Sequence, residues 1–542
     1  MNGRSAILAG LLISSPAILA AQQPPFEDLA VCTQCHSDLN APPQAVDRAN
    51  AWMHPRVRAA ARPAPDAVGP AVLWPASMMA HSARDPYWRA KVRYETRQNP
   101  ALAEVIEDTC LRCHAPMQQY EYRGTGRRMR LDDLNDIGRQ GVGCTVCHQI
   151  TAEGLGTKES FEANFVINPN REIYGPHANP FANPMVNFSG YTPVQANHIL
   201  ESALCGTCHT VITPTVNAGG DIVGEFVEQA PYLEWLVSDY PAQGRTCQSC
   251  HMPVLRDAAG SAVSMFIAHR PAGGAFPPTS PRQPFGQHFL TGGNVPMLRM
   301  LMQLYPDEAE LLNANLERTQ EFLADAIALE LDTSRSDGEL TVDVTVRNRT
   351  GHKLPSGFPS RRIWLHFRVV DAGGETVFES GAWDPATGEV AGLSGLEPHR
   401  SEITDPGQVM IYETEMKDTD GNATVTLLRA AGYLKDNRIL PQGFDLNRPL
   451  PEGIEPASIA PVGTDGDPDF RPGSHEVTYR VNTAGRKGPF RVIVEALYQS
   501  VMPGHVAAMD EEGKTADEAS FIDLFAKNSA PATMARAEAV AR

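Results

Sequence analysis

Spare cysteine is what this 542-residue chain lacks: all ten fall inside five copies of one pentapeptide. Long apolar runs are missing too. After the first 21 residues no stretch approaches the ~20 apolar residues that span a bilayer, so no membrane span is expected once that segment is removed. Positive charge is scarce, with 46 Lys and Arg against 64 Asp and Glu, a net charge of −18. A surface this acidic repels nucleic acid and anionic membrane, so neither is an expected partner. No Ser/His/Asp triad, phosphate-binding loop or separate metal motif stands out.

What is present is C-x-x-C-H, five times: Cys32-Thr-Gln-Cys35-His36, Cys110-Leu-Arg-Cys113-His114, Cys144-Thr-Val-Cys147-His148, Cys205-Gly-Thr-Cys208-His209 and Cys247-Gln-Ser-Cys250-His251. Two cysteines at this spacing can form thioethers to both vinyl groups of one porphyrin. The histidine that follows then lies below the ring, where a neutral imidazole ligates iron. A zinc reading pairs C-x-x-C units and leaves one of five over. Neither zinc nor a disulfide framework requires histidine after every second cysteine. Five covalent c-type haems are therefore expected, with His36, His114, His148, His209 and His251 as proximal iron ligands.

Residues 1–21 hold one charge, Arg4, then an apolar run and a small-residue end, the pattern of a secretory signal peptide. Export agrees with thioether attachment, which takes place outside the cytoplasm, so the expected location is periplasmic or extracellular-facing. Residues 22–305 are irregular, rich in Pro, Gly and Asn, and hold every motif. Cys32 to His251 allows 44 residues per haem, too few for a conventional core around each. Here Asp85-Pro86 reads as a helix start, and helical spacing is expected before the fourth and fifth motifs and around Leu298–Leu304. Residues 306–324 read as a connector helix. From 325 to 506 the apolar period changes to two, as in Leu340, Val342, Val344 and Val346, or Ile363, Leu365, Phe367 and Val369. Strands are further expected at Gln408–Glu415, Thr424–Leu428, His475–Val481 and Phe490–Tyr498. The fold class is thus a mainly α and irregular multihaem domain followed by an all-β, immunoglobulin-like sandwich. Residues 507–542 are expected to be a flexible tail.

Gln248-Ser-Cys250-His251-Met252-Pro253 after a Tyr-x-x-Trp-x-x-Ser helix resembles the exported multihaem c-type cytochrome family. So do Ser202-Ala-Leu-Cys205-Gly-Thr-Cys208-His209-Thr210 and His288-Phe-Leu-Thr-Gly292-Gly293-Asn294. The tetrahaem electron acceptor of hydroxylamine oxidoreductase is a distant member of that group. Thr350-Gly-His352-Lys-Leu-Pro355-Ser356-Gly357 is similar to a loop of related chains, with Ser356 where those have Thr. Tyr433 to Phe444 is similar to a second segment of theirs. The resemblance implies an architecture more than a substrate.

Eleven histidines lie outside the motifs. His198, His288 and His352 lead as distal iron ligands, because each lies near a motif or in a rigid Gly/Pro loop. His177 and His269 follow, then His81 or Met79. His366, His399 and His475 read as ordinary polar residues. If His352 ligates iron, the sandwich is docked on the haem domain; otherwise it is an independent module. Arg361 and Arg362 could pair haem propionates or form a solvated strand end. Electron transfer between a redox protein donor and acceptor is the leading function. The alternative is an oxidoreductase with one five-coordinate haem acting on a small nitrogen or sulfur compound, the first or second haem (Met117 lies near the latter) being suspected. A structural surface cytochrome is the third reading.

Overall fold

Each attachment motif sits on a helical turn, because C-x-x-C at i, i+3 turns both thiols to one side only in a helix. The computed structural model describes residues 25–37, 39–47, 62–63, 67–277, 279–393 and 395–542. The expected signal peptide and His54 lie outside the described residues. The motifs occupy α1 (Leu29–His36), the end of α3 (Ala103–His114), and the turns Cys144–Cys147, Ser202–Gly206 and Cys247–His251. Between the first two, α2 (Pro86–Gln98) starts as its sequence predicts. Asp85 accepts from the Tyr87 and Trp88 amides, and Pro86 takes the first position, where no amide is needed. A hairpin that the sequence reading did not include, β1 (Val211–Val216) and β2 (Ile222–Gln229), turns at Asn217-Ala-Gly-Gly-Asp221. Next come α4 (Pro231–Leu236), α5 (Val295–Leu304) and α6 (Ala309–Ala326), the last over the expected connector.

The β region follows directly. β3 (Ile327–Ser336) and β4 (Glu339–Asn348) form one sheet with β9 (Ser474–Asn482) and the short strand Glu402–Ile403. The second sheet runs β8 (Gly432–Asp436), β7 (Ile411–Lys417), β5 (Arg362–Val370), β10 (Phe490–Gln499) and β11 (Ala532–Ala541), with β6 (Thr376–Ser380) also pairing β5. Their inner faces share one core, in which Val342, Val344, Val477 and Tyr479 meet Leu365, Phe367, Val492 and Val494. Phe367 stacks on Tyr479 across it, ring centroids 3.8 Å apart. Leu298, Leu301, Leu312 and Leu316 of α5 and α6 enter the same core. The two halves are therefore packed together.

Two expectations are corrected here. Thr424–Leu428 is not a strand. Two of its backbone groups are taken by α2: Lys91 Nζ donates to the Val425 carbonyl at 2.6 Å, and the Leu427 amide donates to Glu95 at 2.9 Å. The segment 507–542 is no loose tail. α7 (Ala516–Asn528) begins with a Thr515/Glu518 capping box and packs Phe521, Leu524 and Phe525 on Tyr87, Met297 and Met300. β11 then pairs β10 along its length. Alanine at alternate positions, 535, 537, 539 and 541, hid this strand, because so small a side chain marks the inward face only weakly.

Candidate functional site

All ten motif cysteines and all five motif histidines line one cavity of about 1400 Å³, larger than the ~300–1,000 Å³ of a single small-molecule site. None of the ten thiols is in a disulfide. Neighbouring motifs touch. The thiols of Cys32 and Cys144 are hydrogen-bonding neighbours, as are those of Cys205 and Cys247, and of Cys113 and Cys208. Cys147 acts electrostatically on both Cys205 and Cys208. In space the motifs thus run first, third, fourth, with the second and fifth branching from the fourth.

Four of the five motif imidazoles are prepared in one way. The Nδ1–H of His36 donates to the Ile267 carbonyl (2.8 Å), of His114 to Ser82 (2.9 Å), of His148 to Tyr174 (2.6 Å) and of His251 to Thr291 (2.6 Å). Such a bond fixes the tautomer and leaves Nε2 as the basic nitrogen, the usual arrangement behind a metal-bound histidine. Burial pushes all of them down, His114 and His251 to about 4, which keeps the rings neutral. His209 is also lowered by burial. Five thiol pairs, each followed by a neutral imidazole and all opening on one apolar space, fit covalent haem.

The sequence-derived candidates separate into two groups. His288, His352, His177 and Met79 line the cavity. His288 donates through Nδ1 to the Gly286 carbonyl at 3.0 Å, and burial lowers it to about 3. Its ring lies 6.2 Å from that of His148, tilted by 20°. Two imidazoles on opposite sides of one metal, with bonds of about 2 Å, place their centroids about 6 Å apart. His352 donates through Nδ1 to the Lys353 carbonyl at 2.8 Å and acts electrostatically on His251. By contrast His81, His198 and His269 are not on the wall. His81 uses both nitrogens, Nε2 on the Pro75 carbonyl and Nδ1 on Arg84. His198 spends Nε2 on the Ile150 carbonyl at 2.8 Å. His269 donates Nδ1–H to the Arg270 carbonyl and holds Nε2 against Ser37 Oγ. Met117 is buried beside Thr145, also off the wall. Arg361 reaches the wall, whereas Arg362 is held in its sheet by Gln499 and the Gly388 carbonyl.

His352 is delivered by a buried charge network that sequence reasoning did not foresee. Glu234 of α4 accepts from the Lys353 amide (3.0 Å) and Ser356 Oγ (2.7 Å), while Arg438 lies 3.0 Å from its other oxygen. Lys353 Nζ and the Arg438 guanidinium both donate to Asp436, at 2.6 and 2.8 Å. The two segments singled out by resemblance, 350–357 and 433–444, therefore meet here, and two acids balance two bases. Gly351 permits the approach, since a Cβ there would lie 3.1 Å from the Trp235 and Tyr240 rings. The signal was available: Lys353, Lys435, Asp436 and Arg438 are charges inside otherwise apolar strand and loop sequence.

Residues 72–149, which contain the second and third motifs, match the family model described as cytochrome c554 and c-prime. That match supports a multihaem c-type cytochrome, with haem, iron and electron transfer as its chemistry in general terms. The penta-heme cytochrome c552 of Thermochromatium tepidum superposes with a TM-score of 0.48 at 18% identity, over 86% of this chain and 94% of that one. A score below 0.5 leaves the architecture to be argued from this chain's own elements. No curated protein matches the chain. Among the described residues no helix is long and apolar enough to cross a membrane.

Proposed function

We propose that the chain is an exported five-haem c-type cytochrome, with an immunoglobulin-like sandwich docked on its haem domain, that relays electrons between a redox protein donor and acceptor. The observation that carries this is the convergence of five contiguous motifs on one cavity. Covalently bound at the five cysteine pairs, haem supplies a chain of one-electron iron centres. The protein's part is to hold His36, His114, His148, His209 and His251 neutral and aimed, and to close the third and fifth sites with His288 and His352. Aligned imidazoles and a dry, shaped wall set each potential.

A second reading, an oxidoreductase with one five-coordinate iron acting on a small nitrogen or sulfur compound, is favoured by a specific observation. The described wall offers eight imidazoles, at 36, 114, 148, 177, 209, 251, 288 and 352, for ten axial positions. Haem quantification with an EPR spectrum of the oxidised protein tests both. Five haems with only low-spin signals support the relay. A high-spin ferric signal that shifts on adding hydroxylamine, nitrite or sulfite supports the enzyme, and fewer than five haems refutes the count.

A further inference from the structure

Beside the second motif the cavity wall carries ionisable groups that a bare electron relay does not need. α2 places Tyr87, Lys91 and Glu95 on one face at i, i+4 and i+8, and β2 brings Glu228 to the same wall. Lys91, Glu95 and Glu228 are 4%, 2% and 5% exposed. Lys91 Nζ pairs with Glu95 Oε1 at 2.8 Å, and the Leu427 amide donates to that same oxygen. Glu95 Oε2 is buried and has no hydrogen-bond partner. Glu228 accepts only the neutral Gln229 amide at 3.2 Å and has no ion pair among the described residues. Two buried carboxylates thus lie near one ammonium, which pairs with Glu95 alone.

An uncompensated carboxylate in this setting takes up a proton. Burial first, then the charge of Glu95, pushes Glu228 up to about 7. The titratable groups in electrostatic contact with the pair are Tyr87, Lys91 and Tyr94 from α2, Cys110 from α3, Glu162, and Tyr433 from β8. Lys91 is the cation among them, while Arg361 acts on Asp85. His505, bonded to the Tyr87 hydroxyl at 3.2 Å, is neutral, pushed down to about 3. Glu228 and Glu95 both act electrostatically on the Cys110 sulfur, which puts them next to whatever that cysteine holds.

We propose that Glu95 and Glu228 form a proton-loading site that couples electron transfer through the second motif's haem to proton uptake. With haem bound at Cys110 and Cys113, the two carboxylates would take up one proton from water when a redox donor delivered one electron there, and would release it on reoxidation. The buried net charge is conserved, which is the physical reason for the coupling. The inference rests on the second motif carrying haem, and mass analysis of the peptide containing Cys110 and Cys113 checks that separately.

The test is an optical redox titration of the haem-loaded full-length protein at unit pH steps across neutrality. One component should fall by close to the 59 mV per tenfold change in proton concentration of a one-electron, one-proton step. Glu228→Gln should flatten it, Glu95→Gln should shift the pH range over which it occurs, and Glu228→Asp should restore part of the slope. If Glu228→Gln does not assemble, a carboxyl stretching band appearing on reduction in the infrared difference spectrum, and altered in Glu95→Gln, supports the site instead. Flat wild-type components, an unaltered slope in both glutamine variants, or no carboxyl band overturns it. A haem-free Cys110 peptide would instead refute the assignment of haem to this motif.

Discussion

Asp436→Asn tests whether the sandwich is fastened to the haem domain by the buried charge network. Glu234, Lys353 and Asp436 are 0–1% exposed and Arg438 is 7% exposed, and their formal charges cancel. Removing one carboxylate leaves a net positive charge that water cannot reach. It also replaces the acceptor of three charge-assisted hydrogen bonds at 2.6–2.8 Å with an amide offering one oxygen. Breaking a buried ion pair on one side costs about 3–5 kcal/mol, a third or more of a domain's usual ~5–15 kcal/mol. The pH dependence provides an independent handle. Although burial opposes ionisation, Arg438 and Lys353 hold Asp436 down to about 2 from its ordinary 3.8. A depressed carboxyl contributes stability that is complete above the unfolded value near 3.8 and is lost as pH falls through about 2. For this group that contribution is about 2 kcal/mol. Guanidinium unfolding of the haem-loaded protein, followed by circular dichroism and the haem band, should show the 3–5 kcal/mol loss at neutral pH and a flatter acid limb in the variant. His352 adjoins Lys353, so part of the low-spin EPR signal should be lost as well. A loss below about 1 kcal/mol with an unchanged EPR spectrum would refute the view that this network positions His352.

Three further outcomes are expected. His288→Ala should convert one low-spin centre to high spin, because the 6.2 Å pairing with His148 leaves that site a single described imidazole; an unchanged EPR spectrum would count against it. His399, Asp467 and His475 converge tightly enough to suggest a metal site, yet the purified protein should contain no metal besides iron by elemental analysis. Asn437, oriented by the Glu413 amide and the Ile411 carbonyl, presents its Nδ2 to His399 Nδ1, so His399 carries its proton on Nε2 and donates it to Asp467 at 2.9 Å. Ending the chain at Val506 should abolish folding rather than trim a tail, since it removes Met509, Phe521, Leu524 and Phe525 from one core and the β11 partner of β10; a soluble, haem-loaded truncated protein would contradict this.

The sequence by itself determined what is local. The C-x-x-C-H units name their own chemistry because attachment needs those residues at that spacing. Asp85-Pro86 set the start of α2, and the period-two runs at 340–346 and 363–369 became β4 and β5, since side-chain alternation is a property of the strand itself. Tertiary structure decided everything that depends on which segments meet. His198 ranked with His288 and His352, with His269 and then His81 behind them, and only packing shows which ring nitrogens are used by nearby carbonyls and which face the cavity. Thr424–Leu428 has strand-like residues, but Lys91 and Glu95, more than 300 residues earlier, claim two of its backbone groups. Glu95 and Glu228 became a pair only because α2 and β2 line the same cavity. The pH behaviour of a carboxylate follows from the charges it is buried with, and those come from distant parts of the chain.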